Sequence, residues 1–600
     1  MMTKEEALKK YFGHDSFREG QGEAIDALLS GRDVLCVMPT GAGKSICYQL
    51  PALLSEGVTV VISPLISLMK DQVEALRQAG VGAAYLNSSL SRAECSKVLD
   101  GMFRGDYRLV YVAPERLDSP EFTDVSERIR VPLVIVDEAH CVSSWGQNFR
   151  PSYLKIASYI SRFIRRPTIG AFTATATDEV KSDIVELLKL QSPICITTGF
   201  DRPNLYFAVE KPKNRTKRLL EILGEHEGES GIVYAATRKT VESLCELLTE
   251  KGISVVRYHA GLSDEERKKN QEDFLFGRAR VAVATNAFGM GIDKSDVSFV
   301  IHYNMPQDVE SYYQEAGRAG RDGSPASCIL LYSPQDVMTD RFLIAKSEPN
   351  PDLTKEEQEA LRERELLRLK QMTFYCTTGD CLRHFFLSYF GEKSPVACGN
   401  CSNCLSEAKI VDITTDAQKI LSCVIRTGQR FGKKMLVDIL RGSKNERLLS
   451  LGLDRQTTYG LLAHLSEREV RERFDFLEEQ GYLLATGGDY PTLGVTSACR
   501  PILYEGEHLV MKTLTPPRAE KKISVDESVD HSLYGKLKEL RLRLAREQGV
   551  PAFVVFSDAT LRDMCKKHPV TIDDFLEVNG VGRAKAERYG RLFTELIKGN

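Results

Sequence analysis

Two series of short Val/Ile-rich runs constrain this 600-residue chain more than any other feature. Each run is closed by a Gly, Pro, Thr or Asp cluster and followed by a polar helical segment. The first series reads DVLCVMPT (33–40), VTVVISP (58–64), RLVYVAP (108–114), PLVIVDE (132–138) and TIGAFTAT (168–175). The second reads GIVYAAT (231–237), ISVVRYH (253–259), RVAVAT (280–285), VSFVIHY (297–303) and ASCILLY (326–332). Strands that are apolar along their whole length are covered on both faces, and helices between them make the sheet parallel. Two α/β domains are therefore expected, joined near residues 200–212, where FDRPN and EKPKN interrupt the pattern.

Beyond residue 340 the pattern changes. TKEEQEALRERELLRLKQ is helical and highly charged, a cysteine cluster follows, and residues 412–500 alternate helical segments with a hairpin in LLATGGDYPTLGVT, whose GGDYP is a turn signal. The polar stretch 515–532 reads as a linker, and the residues after it have helical periodicity. At roughly 150 residues per domain, a chain of this length holds about four units.

Nowhere do ~18 apolar residues run uninterrupted, so no membrane-spanning helix is expected. The start, MMTKEEALKK, has no apolar core ahead of a cleavage site. Fifteen cysteines without such a leader, many of them in apolar surroundings, point to a reducing compartment and a cytoplasmic location. With 80 basic and 83 acidic residues the net charge is −3, which neither announces nor excludes a polyanionic partner, because binding depends on where the charge sits.

MPTGAGKS (38–45) follows an apolar run and precedes a helical one. A strand, a glycine-rich turn through Thr40, Gly41 and Gly43, and a helix opening at Lys44-Ser45 aim backbone N–H groups and a positive helix terminus at a triphosphate. Lys44 reaches the β- and γ-phosphates and the Ser45 hydroxyl ligates Mg²⁺. The full phosphate-loop pattern has glycine where this chain has Met38. LVIVDEAH (133–140) delivers two carboxylates to a strand end: Asp137 to hold Mg²⁺ and Glu138 to orient and deprotonate the attacking water. His140 is either part of this site or a local residue. In QEAGRAGRDG (314–323), Arg318 and Arg321 lie three apart on one helical face. Facing an inter-domain cleft, they would stabilise charge on a transferring γ-phosphoryl group. A nucleotide between two such domains couples its hydrolysis to their movement.

Cys398, Cys401 and Cys404 follow C-x2-C-x2-C spacing, with Cys381 and Cys376 upstream. Four thiolates satisfy tetrahedral zinc. An iron–sulfur cluster is the alternative, but the ferredoxin spacing is not completed.

TGAGKS, DEAH, FTATAT (172–177), YHAGL (258–262), VATNAFGMGIDK (283–294) and QEAGRAGRDG, in this order, resemble a superfamily 2 helicase. YFGHDSFREGQ (11–21), CVSSWGQNFRPSY (141–153) and the C-terminal layout narrow the resemblance to the RecQ family of DNA helicases, over nearly the whole chain. It implies ATP-driven, 3′-to-5′ unwinding of DNA in repair and recombination, with single-stranded and duplex DNA, single-strand-binding protein and recombination proteins as partners, and association with the nucleoid. The implied architecture is a first RecA-like domain (1–205), a second (206–340), a zinc-binding helical region (341–408), a winged-helix domain (409–514), a linker (515–529) and a small helical HRDC-like domain (530–600).

The resemblance also assigns residues. Gln21 matches the family's adenine-reading glutamine, whose amide pairs with N6 and N7, and Arg18 matches its arginine. His14 stands where the family often has an aromatic residue to stack on the base. Trp145, the sole tryptophan, with Phe149 and Arg150, matches the aromatic-rich loop that senses single-stranded DNA; bases stack on such rings without sequence preference. Gln147 and Asn148 replace the family's more usual His-Asp. The family pattern selects Cys381 as the fourth zinc ligand. RFGKK (430–434) supplies phosphate contacts in the winged-helix domain, and Tyr490 at the hairpin turn is a wedge or a plain exposed residue. In the tail, NGVG (579–582) opens a helix on which Lys585 and Arg588 add charge for DNA. Two other readings compete: a DNA-binding or strand-annealing scaffold that uses nucleotide as a switch, and an RNA helicase.

Overall fold

The computed structural model describes every residue except 1, 15, 65, 146–148, 289–293, 295, 348–352, 486–491, 516–530 and 600. It divides into two compact units. One comprises Met1–Leu369, Phe386–Ser394 and Lys522–Asn600, the other Lys370–Phe385 and Pro395–Lys521.

The larger unit contains two parallel sheets. The first has seven strands, β1 (Val34–Val37), β2 (Thr59–Ile62), β3 (Ala83–Leu86), β4 (Leu109–Val112), β5 (Leu133–Val136), β6 (Thr168–Thr173) and β7 (Ile194–Thr197), in the order β3-β4-β2-β5-β6-β1-β7. The second has six, β8 (Leu205–Glu210), β9 (Ser230–Tyr234), β10 (Val255–Tyr258), β11 (Val281–Ala284), β12 (Val297–His302) and β13 (Ala326–Leu331), in the order β10-β11-β9-β12-β13-β8. Central strands β1, β2, β4 and β5 are buried at every position, as strands covered by helices on both faces must be. The expected join at 200–212 needs correcting. Residues 205–210 are not a connector but β8, paired in register with β13 from Leu205↔Ala326 to Glu210↔Leu331.

Close packing fixes small residues inside the sheets. A Cβ on Gly170 of β6 would come within 2.8 Å of the Phe172 ring and 2.9 Å of Ile135. At the end of the first sheet, Phe200 stacks on Phe390 at 4.5 Å, Tyr313 meets the same ring edge-on at 5.2 Å, and the Tyr313 hydroxyl donates to the Phe200 carbonyl at 2.7 Å. Offset and edge-on ring pairs of this kind add specificity to apolar burial. The C-terminal helices His531–Gln548, Asp558–Lys567 and Arg583–Lys598 enclose their own core around Phe556, Phe575 and Phe593. Buried Arg541 donates there through Nη1 to Asp558 (2.6 Å) and the Phe556 carbonyl (2.9 Å).

The smaller unit holds the cysteine cluster and a helical core built on Thr414–Arg426, Lys433–Arg441 and Glu467–Glu479. Antiparallel strands β15 (Leu483–Ala485) and β16 (Leu493–Val495) form the expected hairpin, and β14 (Glu407–Asp412) pairs antiparallel with β17 (Val510–Thr515). The hairpin turn with Tyr490 lies outside the described residues. No described helix is long and apolar enough to cross a membrane.

Candidate active site

β1 ends in the loop that carries Thr40, Gly41 and Gly43, and the helix Lys44–Leu54 begins where the loop closes. Gly41 and Gly43 have φ of 87° and 85°, the left-handed region that a side chain would strain, and a Cβ on Gly43 would sit 2.5 Å from Gln21 Nε2. Lys44 donates to the Met38 carbonyl at 2.9 Å, and burial lowers its ammonium from the ordinary lysine value against the pull of Glu138 and Asp137. Ser45 lies in the first turn of the same helix.

At the end of β5, burial first, and Glu138 beside it second, push the Asp137 carboxyl up to about 7. The Asp137 carboxylate and the Ser45 hydroxyl are hard oxygen donors of the kind Mg²⁺ takes, and Lys44 is the only cation acting on the buried carboxylate among the charges that shift it, so the residues fit the ion. Glu138 adopts φ 48° and ψ 47°, the left-handed region rare for a residue with a side chain. Its Oε2 is buried and outside hydrogen-bond geometry with any side chain. His140 belongs to the site: its Nδ1 lies 2.8 Å from Thr173 Oγ1 and 3.3 Å from Glu138 Oε2. Tyr153 fixes the turn from behind, donating to the Asp137 carbonyl at 2.9 Å.

The second sheet brings its arginines to this place. A Cβ on Gly41 would stand 3.5 Å from Arg321 Cγ, so the arginine lies along the phosphate loop. Arg318 is buried against Tyr234, whose phenol it holds down against the rise that burial causes. Gln314 donates across to Thr175 at 3.1 Å. Two residues that the sequence reading passed over hold the arginine loop in shape. Arg202 donates to the carbonyls of Gly317, Ala319 and Gly320 at 3.2, 3.0 and 2.7 Å, and Asn204 donates to those of Gly320 and Ser324 at 2.9 Å each. Both sit in FDRPN, the break in the strand pattern.

The expected base-reading residues are placed with the phosphate loop. Gln21 Nε2 donates to the carbonyls of Ala42 (3.0 Å) and Gly43 (3.3 Å), and its Oε1 accepts from Arg18 N at 2.8 Å. Arg18 Nη1 donates to the Gly41 carbonyl at 2.6 Å. Both ends of the Gln21 amide are thus occupied by the chain itself, and His14 is exposed.

Trp145 is 44% exposed, on a loop whose stem is pinned: Ser143 donates to Asp183 at 2.6 Å, Trp145 N donates to Ser143 Oγ at 3.0 Å, and Arg150 N donates to the Cys141 carbonyl at 2.9 Å. Arg150 Nη1 reaches the Pro64 carbonyl at 3.2 Å. Phe149 lines a cavity of about 250 Å³ with Tyr234, Asn304, Asp308, Asp340 and Glu365.

In the smaller unit the Sγ atoms of Cys381, Cys398, Cys401 and Cys404 all lie within 4.8 Å of one another, and Cys376 is not among them. The Cys398–Cys404 and Cys381–Cys401 separations are 4.0 Å, near the ~3.8 Å edge of a tetrahedron with Zn–S bonds of about 2.3 Å. Backbone N–H groups of His384, Asn400 and Cys404 point at three of the sulfurs (3.3–3.4 Å), the setting that favours thiolate. The residues fit zinc. Of the basic pair in RFGKK, Lys433 is bound to Asp475 (2.5 Å) and Glu478, while Lys434 is exposed. In the C-terminal helices Arg588 is exposed, whereas Lys585 lies over the Phe556 ring (5.5 Å) and burial lowers its ammonium.

Family models match along the chain: DEAD/DEAH box helicase (18–183), helicase conserved C-terminal domain (214–323), RecQ zinc-binding (334–405), RQC domain (407–521) and HRDC domain (530–597). The chain is 48% identical to the ATP-dependent DNA helicase RecQ of Bacillus subtilis (strain 168), covering 98% of each. It is 39% identical to the protein of that name from Pasteurella multocida (strain Pm70), over 99% of this chain and 93% of the relative. The Haemophilus influenzae protein is 38% identical over 98% and 95%.

Proposed function

From the premise that the chain belongs to the RecQ family of ATP-dependent DNA helicases, which act in repair and recombination, we propose how its own residues divide the work. The observation that carries the reading is Arg321 lying along Gly41 of the phosphate loop, in the cleft that also holds Lys44, Asp137 and Glu138. ATP occupies that cleft. Lys44 leaves the Met38 carbonyl for the β- and γ-phosphates, and Gln21 and Arg18 exchange their contacts with the chain for contacts with adenine. Mg²⁺, held by Ser45 and Asp137, neutralises phosphate charge when bound. Glu138 orients the attacking water and takes its proton, with His140, whose Nδ1 lies 3.3 Å from Oε2, fixing the carboxylate. Arg318 and Arg321 stabilise charge on the transferring group, and because they belong to the second sheet, closure of the cleft and hydrolysis are one event.

A single strand is sensed by Trp145 and Phe149, with Arg150 tying the loop to the first sheet. The sensing loop leaves the DEAH turn directly, since Cys141 N donates to the Glu138 carbonyl at 2.9 Å. The winged-helix and HRDC-like regions add duplex and auxiliary contacts through Lys434 and Arg588, and the zinc thiolates Cys381, Cys398, Cys401 and Cys404 hold their region folded. Movement is 3′-to-5′ on DNA. Duplexes with 3′ and 5′ tails, with DNA and RNA tails side by side, test the assignment: ATP-dependent strand separation is expected from the 3′ DNA tail and is lost in Lys44→Ala and Glu138→Gln. Normal turnover in either variant, or a duplex that stays paired while ATP is consumed, would refute it.

A further inference from the structure

Trp145 is covered. The Arg364 guanidinium lies over the indole with its carbon 4.4 Å from the ring centroid, and its Nη1 donates to Ser144 Oγ. Arg364 belongs to the long helix Lys355–Thr377, more than 200 residues along the chain from the loop it touches. We propose that Arg364 is a displaceable cap: a positioning residue that occupies the stacking face of Trp145 until a nucleobase takes its place. The proposal rests on the reading of Trp145 as a base-stacking residue.

A planar guanidinium is the side chain that best imitates a stacked base, because it is flat, delocalised and weakly hydrated. At a half-exposed ring its hold is weaker than that of a base, so an incoming strand wins the exchange. The cap thus keeps a large aromatic ring from binding apolar surfaces indiscriminately, and it makes the loop next to Glu138 respond to a base in particular. The Ser144 contact fixes the arginine on the loop as well as the ring, so its release frees both at once.

Trp145 is the only tryptophan of the chain, so its emission reports this contact alone. Acrylamide quenching of the full-length protein without DNA tests the cap by itself. Arg364→Met is expected to raise the quenching constant, and Arg364→Lys, which keeps the charge without the plane, is expected to follow Met. A quenching constant unchanged in Arg364→Met overturns the proposal. Titration with an oligothymidylate strand tests the exchange. With the competitor gone, affinity rises about 2–5-fold in Arg364→Met, and ATP turnover in the absence of DNA rises with it. A loss of affinity in that variant would show Arg364 to be a phosphate contact only, and would overturn the cap. If the wild-type protein binds the strand with no change in Trp145 emission, the base-stacking reading itself fails, whatever the DNA-free quenching shows.

Discussion

Arg202, five residues after the end of β7, reaches into the loop that carries both arginines of the cleft and donates to Gly320 at 2.7 Å. Two further carbonyls, of Gly317 and Ala319, take the rest of its guanidinium. Burial opposes the charge at Arg202, and these acceptors are what makes the placement tolerable.

Removing that brace should loosen the arginines without touching the phosphate loop. Arg202→Ala is expected to lower kcat for ATP about 10-fold, the loss of a charge-assisted network worth about 1.5–3 kcal/mol, while KM for ATP changes less. Steady-state kinetics with saturating single strand checks it. A KM effect that exceeds the kcat effect would place Arg202 in ground-state binding instead.

Gln21 faces two carbonyls with its amide nitrogen. Gln21→Glu turns that donor into a carboxylate oxygen opposed to Ala42 and Gly43. KM for ATP is expected to rise about 10-fold or more through distortion of the loop, at about 1–3 kcal/mol for each unmade hydrogen bond. Gln21→Ala, which removes the brace and the adenine contact without opposing the two carbonyls, should raise it less.

Asp340 is buried, its Oδ2 has no hydrogen-bond partner, and burial first and Asp336 second push its carboxyl up to about 7. A carboxyl whose pKa is raised on folding binds more protons in the folded chain than in the unfolded one between about pH 4 and 7. Its contribution to stability therefore falls as pH rises through that window and is fully lost above it. Asp340→Asn, a neutral mimic, should raise Tm by about 2–4 °C at pH 8 and leave it nearly unchanged at pH 5. Scanning calorimetry at the two pH values reads the difference; an equal shift at both would refute the assignment.

The metal site discriminates between neighbouring cysteines. Cys381→Ser should lose stoichiometric zinc and the folding of its region with it, whereas Cys376→Ser should keep both. Metal analysis of the purified variants decides, and a visible chromophore in the wild type would overturn zinc in favour of an iron–sulfur cluster.

How far the fold was legible depended on where each strand lies in its sheet. All ten apolar runs correspond to strands, nine of them because a strand inside a sheet covered on both faces leaves little place for polar residues or because its run stays apolar, while the edge strand β10 was read despite its exposed Arg257. The two-stranded pair β14 and β17 was not read, and in the two parallel sheets the strands that were not legible, β3, β7 and β8, are all at sheet edges. Their burial is broken, with ICIT of β7 half-exposed and LYFAVE of β8 open at Tyr206, so the continuous signal disappears. At the site, the groups that do chemistry were legible because chemistry demands a residue type: Lys44, Asp137, Glu138 and the zinc thiolates. Arg202 and Asn204 were not, because what they satisfy is a set of backbone carbonyls, and nothing in a sequence marks a carbonyl as needing a partner. Lys433 and Lys585 show the reverse case, in which charge read as available for phosphate is committed to Asp475 and Glu478 or laid over Phe556.

The left-handed backbone at Glu138 means that the enzyme carries a small permanent debit in heat tolerance at the residue proposed to activate water. A glycine at 138 would relax the turn and lose the base in one stroke. Glu138→Gly should thus be inert toward ATP yet melt no earlier than the active chain, by thermal melting without nucleotide. Selection on turnover and selection on durability would then pull this one position in opposite directions.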